Sequence, residues 1–155
     1  LNQLITLDHY CSKKTTVYGQ IVNGDGQTSF EIFLRENLPV YREEIKEIHL
    51  SIQSIGRYGA REYFFRKKNE GKYGDGVCAL FDERDALLRL YCIRYSNEIL
   101  ILGGGGVKSK SIRTWQDSPK LSEEVNRMIE LSAYIRSGIS NGLISIKDNK
   151  FILLK

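Results

Sequence analysis

Apolar and polar residues along this chain fall mostly into short runs bounded by turn-forming residues, and two stretches carry the longer period of an amphipathic helix. Thr15 to Leu34 reads as a hairpin. TVYGQIV and TSFEIFL are rich in β-branched and aromatic residues, and NGDGQ between them is turn chemistry. Val40, Ile45, Ile48, Ile52 and Ile55 then recur at near-helical spacing, with Pro39 ahead of them and Gly56 behind. This pattern predicts an amphipathic helix over about 40–55, with one face on a sheet. AREYFFRKK reads as a short apolar-centred strand or a helix end that runs into a charged turn, and KYGDG as a second turn.

VCALFDE, ALLRLYCIRY and ILIL are three apolar runs separated by Asp82-Glu83-Arg84-Asp85 and by SNE. Such short breaks permit antiparallel neighbours and are too short for a parallel crossover, so the three runs predict a meander. Leu121, Val125, Met128, Ile129, Leu131 and Ile135 form the buried side of a second helix. Ser122 and the acidic pair Glu123 and Glu124 mark its start, and Gly138 its stop. The tail, GLISIKDNKFILLK, reads as a strand pair around Asp148-Asn149. The expected architecture is α+β: one domain over 1–155, an antiparallel sheet with helices packed on one face, an N-terminal hairpin, and a C-terminal helix plus tail.

The 155 residues suffice for one hydrophobic core, and no apolar run approaches the roughly 20 residues of a membrane span. The first residues, LNQLITLDHYCSKKTT, lack the basic and apolar regions of a signal peptide. The three cysteines, Cys11, Cys78 and Cys92, are an odd and sparse set, which points to reduced thiols and a cytoplasmic location. No CxxC or Cys/His cluster is present, so no metal site or cofactor is expected. The net charge of +4 is mildly basic, and the distribution of charge carries more information than its total.

That distribution concentrates attention on LLRLYCIRYSNEILILGGGGVKSKSIR, residues 87–113. Gly103 to Gly106 superficially resemble a phosphate-binding loop, but Val107 and Leu102 stand where a Walker pattern needs glycine. The run is then a bulge or wide turn that ends a strand, or a set of exposed N–H groups that help to hold a phosphate. Arg89 and Arg94 are an odd number of residues apart, so a regular strand turns them to opposite faces. Arg89 sits between Leu88 and Leu90 and must either pair with a carboxylate or face a cleft. Lys108 and Lys110 share a face if the segment is extended, and with Arg113 they form either a functional patch or an edge protected from aggregation. Arg66, Lys67 and Lys68 form a second basic cluster at a strand end. Trp115, the only tryptophan, can stack on a base or cap the core under the C-terminal helix. Tyr91 and Tyr95 share a strand face and either join the core or line the cleft. His9 and His49 have no partners at motif spacing, which leaves Arg, Lys, Tyr or Glu for any charge stabilisation or proton transfer.

With these residues in view, LRLYCIRYSNEILILGGGGVKSKSIRTWQ resembles the second half of RelE/HigB-type toxins of bacterial toxin–antitoxin pairs. The likeness covers about Val40 to Arg127. It lies in Arg89-Leu90-Tyr91 on a central strand, the apolar strand Ile99 to Leu102, the small and basic loop Gly103 to Lys110, and a closing helix. It implies a RelE-like fold and an endoribonuclease that cleaves mRNA, on the ribosome, without a metal, and that an antitoxin neutralises. It implies Arg89, Lys108 and Tyr91 as catalytic residues. Lys110, Arg113, Trp115, Arg66 and Lys68 would contact RNA. Two departures, the acidic Asp82–Asp85 turn and the long terminal segments, fit a non-catalytic binding module of the same fold that pairs with a protein or nucleic acid.

Overall fold

Five strands form a mixed sheet in the computed structural model, which describes residues 3–66, 70–72, 74–81 and 85–154. In chain order they are β1 (Leu4–Thr6), β2 (Thr16–Gln20), β3 (Val77–Ala79), β4 (Leu88–Arg94) and β5 (Ile99–Val107), arranged β1-β2-β5-β4-β3. Three helices, α1 (Ser29–Asn37), α2 (Arg42–Tyr58) and α3 (Pro119–Ser140), accompany the sheet, and a separate hairpin, β6 (Ile144–Lys147) and β7 (Lys150–Leu153), closes the chain. The fold is α+β, as the hydrophobic pattern predicts.

The predicted meander is present, since β3 pairs antiparallel with β4 and β4 with β5. The predicted N-terminal hairpin is not. TSFEIFL forms α1, because Thr28 and Glu31 close a capping box. The Glu31 N–H donates to Thr28 Oγ1 at 3.1 Å, and the Thr28 N–H donates to Glu31 Oε1 at 3.4 Å. Phe30, Phe33 and Leu34 then fall on one helical face. Strand β2 instead lies parallel to β5, with Thr16 opposite Ile99 and Gly19 opposite Leu102. The sheet is therefore mixed, and the long crossover that a parallel pair needs is the whole segment from α1 to β4. β1 covers the other edge of β2, with Leu4 opposite Gln20.

Helices cover both faces of the sheet, which corrects the expected one-sided packing. Leu88, Leu90, Cys92, Leu100 and Leu102 pack with Phe30 and Phe33 of α1 and Ile45, Ile52 and Ile55 of α2. Tyr91, Ile93, Ile99 and Ile101 pack with Leu121, Val125, Met128, Leu131 and Ile135 of α3. The cause is visible in the strands: ILIL is apolar at every position, the mark of a strand buried on both sides.

The glycine run does not end a strand. Gly103 to Gly106 lie inside β5 and are buried. The register moves from Cys92 opposite Leu102 to Leu90 opposite Gly105, so Tyr91 alone faces both Gly103 and Gly104 in a bulge. A Cβ on Gly103 would stand 2.6 Å from Met128 Sδ, one on Gly104 would strike the Glu124 carboxylate, and one on Gly105 would overlap the Arg89 carbonyl. Glycine is needed here for the close approach of α3 and of β4, and not for a phosphate loop.

The helix boundaries also shift. α2 continues through Gly56 to Tyr58, and Gly56 is small because the Tyr10 carbonyl lies where its Cβ would be. α3 begins at Pro119, before Ser122, because Ser118 caps it: its Oγ accepts from the Leu121 N–H at 3.2 Å. It runs past Gly138 to Ser140. In AREYFFRKK, Glu62–Phe64 form a single helical turn, followed by one bridge between Phe65 and Leu80, and Lys67 and Lys68 lie outside the described residues. The predicted charged turn at Asp82, Glu83 and Arg84 lies outside the described residues. The tail hairpin turns at Asp148 (φ 52°) and Asn149 (φ 63°), the two left-handed residues of a type I′ turn. Phe151 holds the hairpin down, with its ring 5.5 Å from that of Tyr18 and its N–H donating to the Tyr18 hydroxyl at 3.0 Å.

Gly105→Ala is expected to cost about 1–3 kcal/mol, because backbone on both strands must shift, whereas Gly24→Ala, in open space, should stay within about 0.5 kcal/mol of the parent. Urea unfolding midpoints of the two variants provide the comparison.

Candidate functional site

Pleating decides which basic side chains can meet. Arg89 and Tyr91 are two residues apart on β4 and share the face that carries α3. Arg94 is on the opposite face, where its Nε donates to the Ala60 carbonyl at 2.6 Å and its Nη2 to Asn97 Oδ1 at 2.5 Å, with Glu62 at 3.9 Å. The sequence-based separation of the two arginines therefore stands, and Arg94 is used structurally.

On the α3 side a cavity of about 280 Å³ opens. Its floor is β4, which contributes Arg89 and Tyr91. One wall comes from Arg66, Glu70 and Gly71. The Arg66 N–H donates to the Ala79 carbonyl at 2.9 Å, and the N–H groups of Glu70 and Gly71 both approach the Val77 carbonyl, at 3.1 and 3.4 Å. This wall is braced by buried Asp75, whose carboxylate accepts from the N–H groups of Lys72 (2.8 Å) and Val77 (2.9 Å). The other wall is Lys108 with Arg113, Thr114, Trp115 and Gln116. Lys108 is fixed where β5 ends, its N–H donating to the Leu87 carbonyl at 2.6 Å. The Trp115 carbonyl accepts from Ser122 Oγ on α3 at 3.1 Å.

Six of the eight residues singled out in the sequence, Arg66, Arg89, Tyr91, Lys108, Arg113 and Trp115, line this one cavity. Arg89 faces the cleft, and its Nη1 donates to the carbonyls of Ala86 (3.2 Å) and Leu88 (3.0 Å). Trp115 is half-buried: it packs on the α3-side core, as one of its two expected roles requires, and it also lines the cavity. Lys110 does not join. A turn in which the Ile112 N–H donates to the Ser109 carbonyl at 3.0 Å ends the extended course after Lys108, and Lys110 is exposed away from the lining. Lys68 lies outside the described residues. The N–H groups of Gly103 to Gly106 do not form an exposed phosphate site, since these residues are buried in the sheet.

Glu70 was missed by sequence reasoning. Its place beside β4 is set by its N–H, which donates to the Val77 carbonyl of β3, the strand that pairs with β4. It is the one carboxylate among the described lining residues, against the four cations Arg66, Arg89, Lys108 and Arg113. The excess positive charge, held in a partly enclosed space, favours an anion with several oxygens, and the guanidinium groups can grip it in pairs. Tyr91 is 1% exposed. Burial pushes its phenol well above the ordinary value and Glu70 adds to that, while Arg89 and Arg66 pull the other way. The phenol therefore stays protonated near neutral pH.

The two histidines are elsewhere. His9 and His49 stack with ring centres 5.7 Å apart, and the Tyr10 hydroxyl lies 2.8 Å from His49 Nδ1, but none of the three lines the cavity. Among the described residues there is no cluster of His, Cys, Asp or Glu that could hold a metal ion, and no helix long and apolar enough to cross a membrane. Comparison with protein-family models, curated proteins and solved structures finds no match for this chain.

Because the folded Tyr91 phenol holds its proton more tightly than the unfolded one, its contribution to stability is complete below the unfolded value of about 10 and is lost as pH rises beyond it. Tyr91→Phe should therefore flatten the alkaline fall of the urea midpoint. An unchanged slope would contradict the burial of this phenol.

Proposed function

We propose that the cavity binds a phosphodiester of RNA and that the protein is a RelE-like endoribonuclease, cleaving mRNA on the ribosome and held in check by an antitoxin. The observation that carries this reading is the convergence of Arg66, Arg89, Lys108 and Arg113 with Tyr91 and Trp115 on one cavity, from segments far apart in sequence. The likeness of β4, β5 and the basic loop after them to RelE/HigB-type toxins supplies the reaction class.

In this reading Arg89 and Lys108 hold the two non-bridging oxygens of the scissile phosphate and offset the charge that grows on them in the transition state. The positive charge at the phosphate comes from the protein's own side chains. Arg66 and Arg113 hold neighbouring phosphates, and a base stacks on Trp115. Glu70 takes the proton of the 2′-hydroxyl as that oxygen bonds to phosphorus. The bond from phosphorus to the 5′-oxygen breaks, and Tyr91, kept protonated by burial, donates its proton to the leaving oxygen. The products are a 2′,3′-cyclic phosphate and a 5′-hydroxyl, and solvent restores the two protein groups to their starting protonation states.

Induction of the parent chain, read out by growth and by mRNA cleavage, tests the proposal. Arg89→Ala and Lys108→Ala should each lower cleavage by about 10²–10³-fold and restore growth. RNA affinity should fall steeply as salt is raised. If both variants arrest growth as strongly as the parent, the site assignment is wrong. If RNA binds without being cut, the protein is a binding module of this fold, and a flat salt response favours a protein partner.

A further inference from the structure

On the opposite face of the sheet from the cationic cavity, a socket of about 220 Å³ lies between α2 and the start of β4. Its base is apolar, formed by Ile48, Ala86 and Leu88, and Leu88 is only 2% exposed. Phe81 stands at the lip and leaves 59% of its surface in solvent, a large exposure for an aromatic residue beside an open apolar hollow. Among the described residues the charged ones that line the socket are Glu43, Glu44 and Glu47, all from the first turns of α2.

These three carboxylates differ in their ties. Glu44 is committed to the fold: its Oε1 accepts from the N–H groups of Leu87 (2.8 Å) and Leu88 (3.0 Å). Glu43 and Glu47 make no ion pair among the described residues. They are one helical turn apart, an arrangement in which like charges repel and weaken the helix. Arg42 and Lys46 lie on the same helix but do not line the socket. The acidic lip also runs against the net charge of +4, so it is a local feature and not a reflection of the whole chain.

We propose that this socket is the docking site for a cationic amphipathic helix of another protein. An apolar side chain of that helix fills the hollow between Ile48 and Phe81, and flanking lysines or arginines meet Glu43 and Glu47. Charge complementarity selects this occupant: an apolar base with an acidic rim rejects an acidic or uniformly polar segment and relieves its own repulsion when cations arrive. The proposal does not depend on the RNA reading of the other face.

The test uses a fluorescein-labelled helical peptide of about 18 residues, built only of leucine and lysine at amphipathic spacing, titrated with the nuclease-treated full chain by anisotropy. The peptide should bind, and more weakly as salt is raised. The double variant E43K/E47K should weaken binding by about tenfold or more, and Phe81→Ala by a similar factor. Glu130→Lys makes the same kind of charge change on exposed α3, and it should leave the affinity unchanged. A matching peptide with glutamate in place of lysine should not bind. Thermal melts of each variant establish that it is folded. No binding by the parent chain, equal affinity for E43K/E47K, or an equal loss in Glu130→Lys would each overturn the proposal.

Discussion

The contact on which this structure depends is that of α3 with the glycine stretch of β5. Gly103 and Gly104 offer no side chains, so Met128 and Glu124 reach the sheet itself. From that seat α3 braces both walls of the cationic cavity. Ser122 Oγ holds the Trp115 carbonyl at 3.1 Å, and Ser132 Oγ holds the Asp75 carbonyl at 2.6 Å, below the turn that carries Glu70. The floor depends on the same stretch, because the bulge at Gly103 and Gly104 is where Tyr91 sits. A larger residue in β5 would disturb packing and cavity together.

Seating α3 so closely places a carboxylate in the interior. Glu124 is 4% exposed, and a buried charge is tolerated only when paired. Arg127 Nη1 meets its two oxygens at 3.1 and 3.0 Å, and Lys120 Nζ approaches at 3.3 Å. Burial works against the Lys120 ammonium, but Glu124 and Glu36 outweigh it and raise its pKa. Lys120 also reaches Glu36 of α1 at 3.5 Å. The ion cluster therefore ties α1 and α3, which lie on opposite faces of the sheet, at the end of β5 that β2 leaves uncovered. Desolvation offsets much of what such a buried cluster gains, so it specifies the placement of α3 more than it adds net stability.

Much of this was legible in the sequence where local signals are strong. The β3–β4–β5 meander follows from apolar runs with short polar breaks, α2 from its isoleucine period, and the tail hairpin from Asp148-Asn149. The α1 segment is ambiguous in sequence because SFEIF satisfies both strand composition and helical spacing. The capping pair Thr28 and Glu31 was the signal that separates the two. The parallel pairing of β2 with β5 was not legible, because its partners are some eighty residues apart and no local rule joins them. The candidate site divides in the same way. Arg89 stands out as a charge inside an apolar strand, and Trp115 as a lone tryptophan among polar residues. Glu70 is one acidic residue among many until the sheet brings its turn to β4, and Lys110 shares a face with Lys108 only in an extended segment, which the turn at Ser109–Ile112 breaks.

The start of β4 joins the two faces of the molecule. Strand alternation turns Leu88 toward the acidic socket and Arg89 toward the cationic cavity. The carbonyls of Ala86 and Leu88 accept from Arg89 Nη1, while the same two residues form part of the socket base. Glu44 fixes this segment from the α2 side through the Leu87 and Leu88 N–H groups, and the Lys108 N–H fixes it from β5 through the Leu87 carbonyl. Three residues, Ala86, Leu87 and Leu88, thus carry backbone bonds to α2, to β5 and to the central guanidinium of the cavity. The carbonyls that hold the Arg89 guanidinium therefore belong to residues that also line the opposite face, and the two faces share one short stretch of backbone.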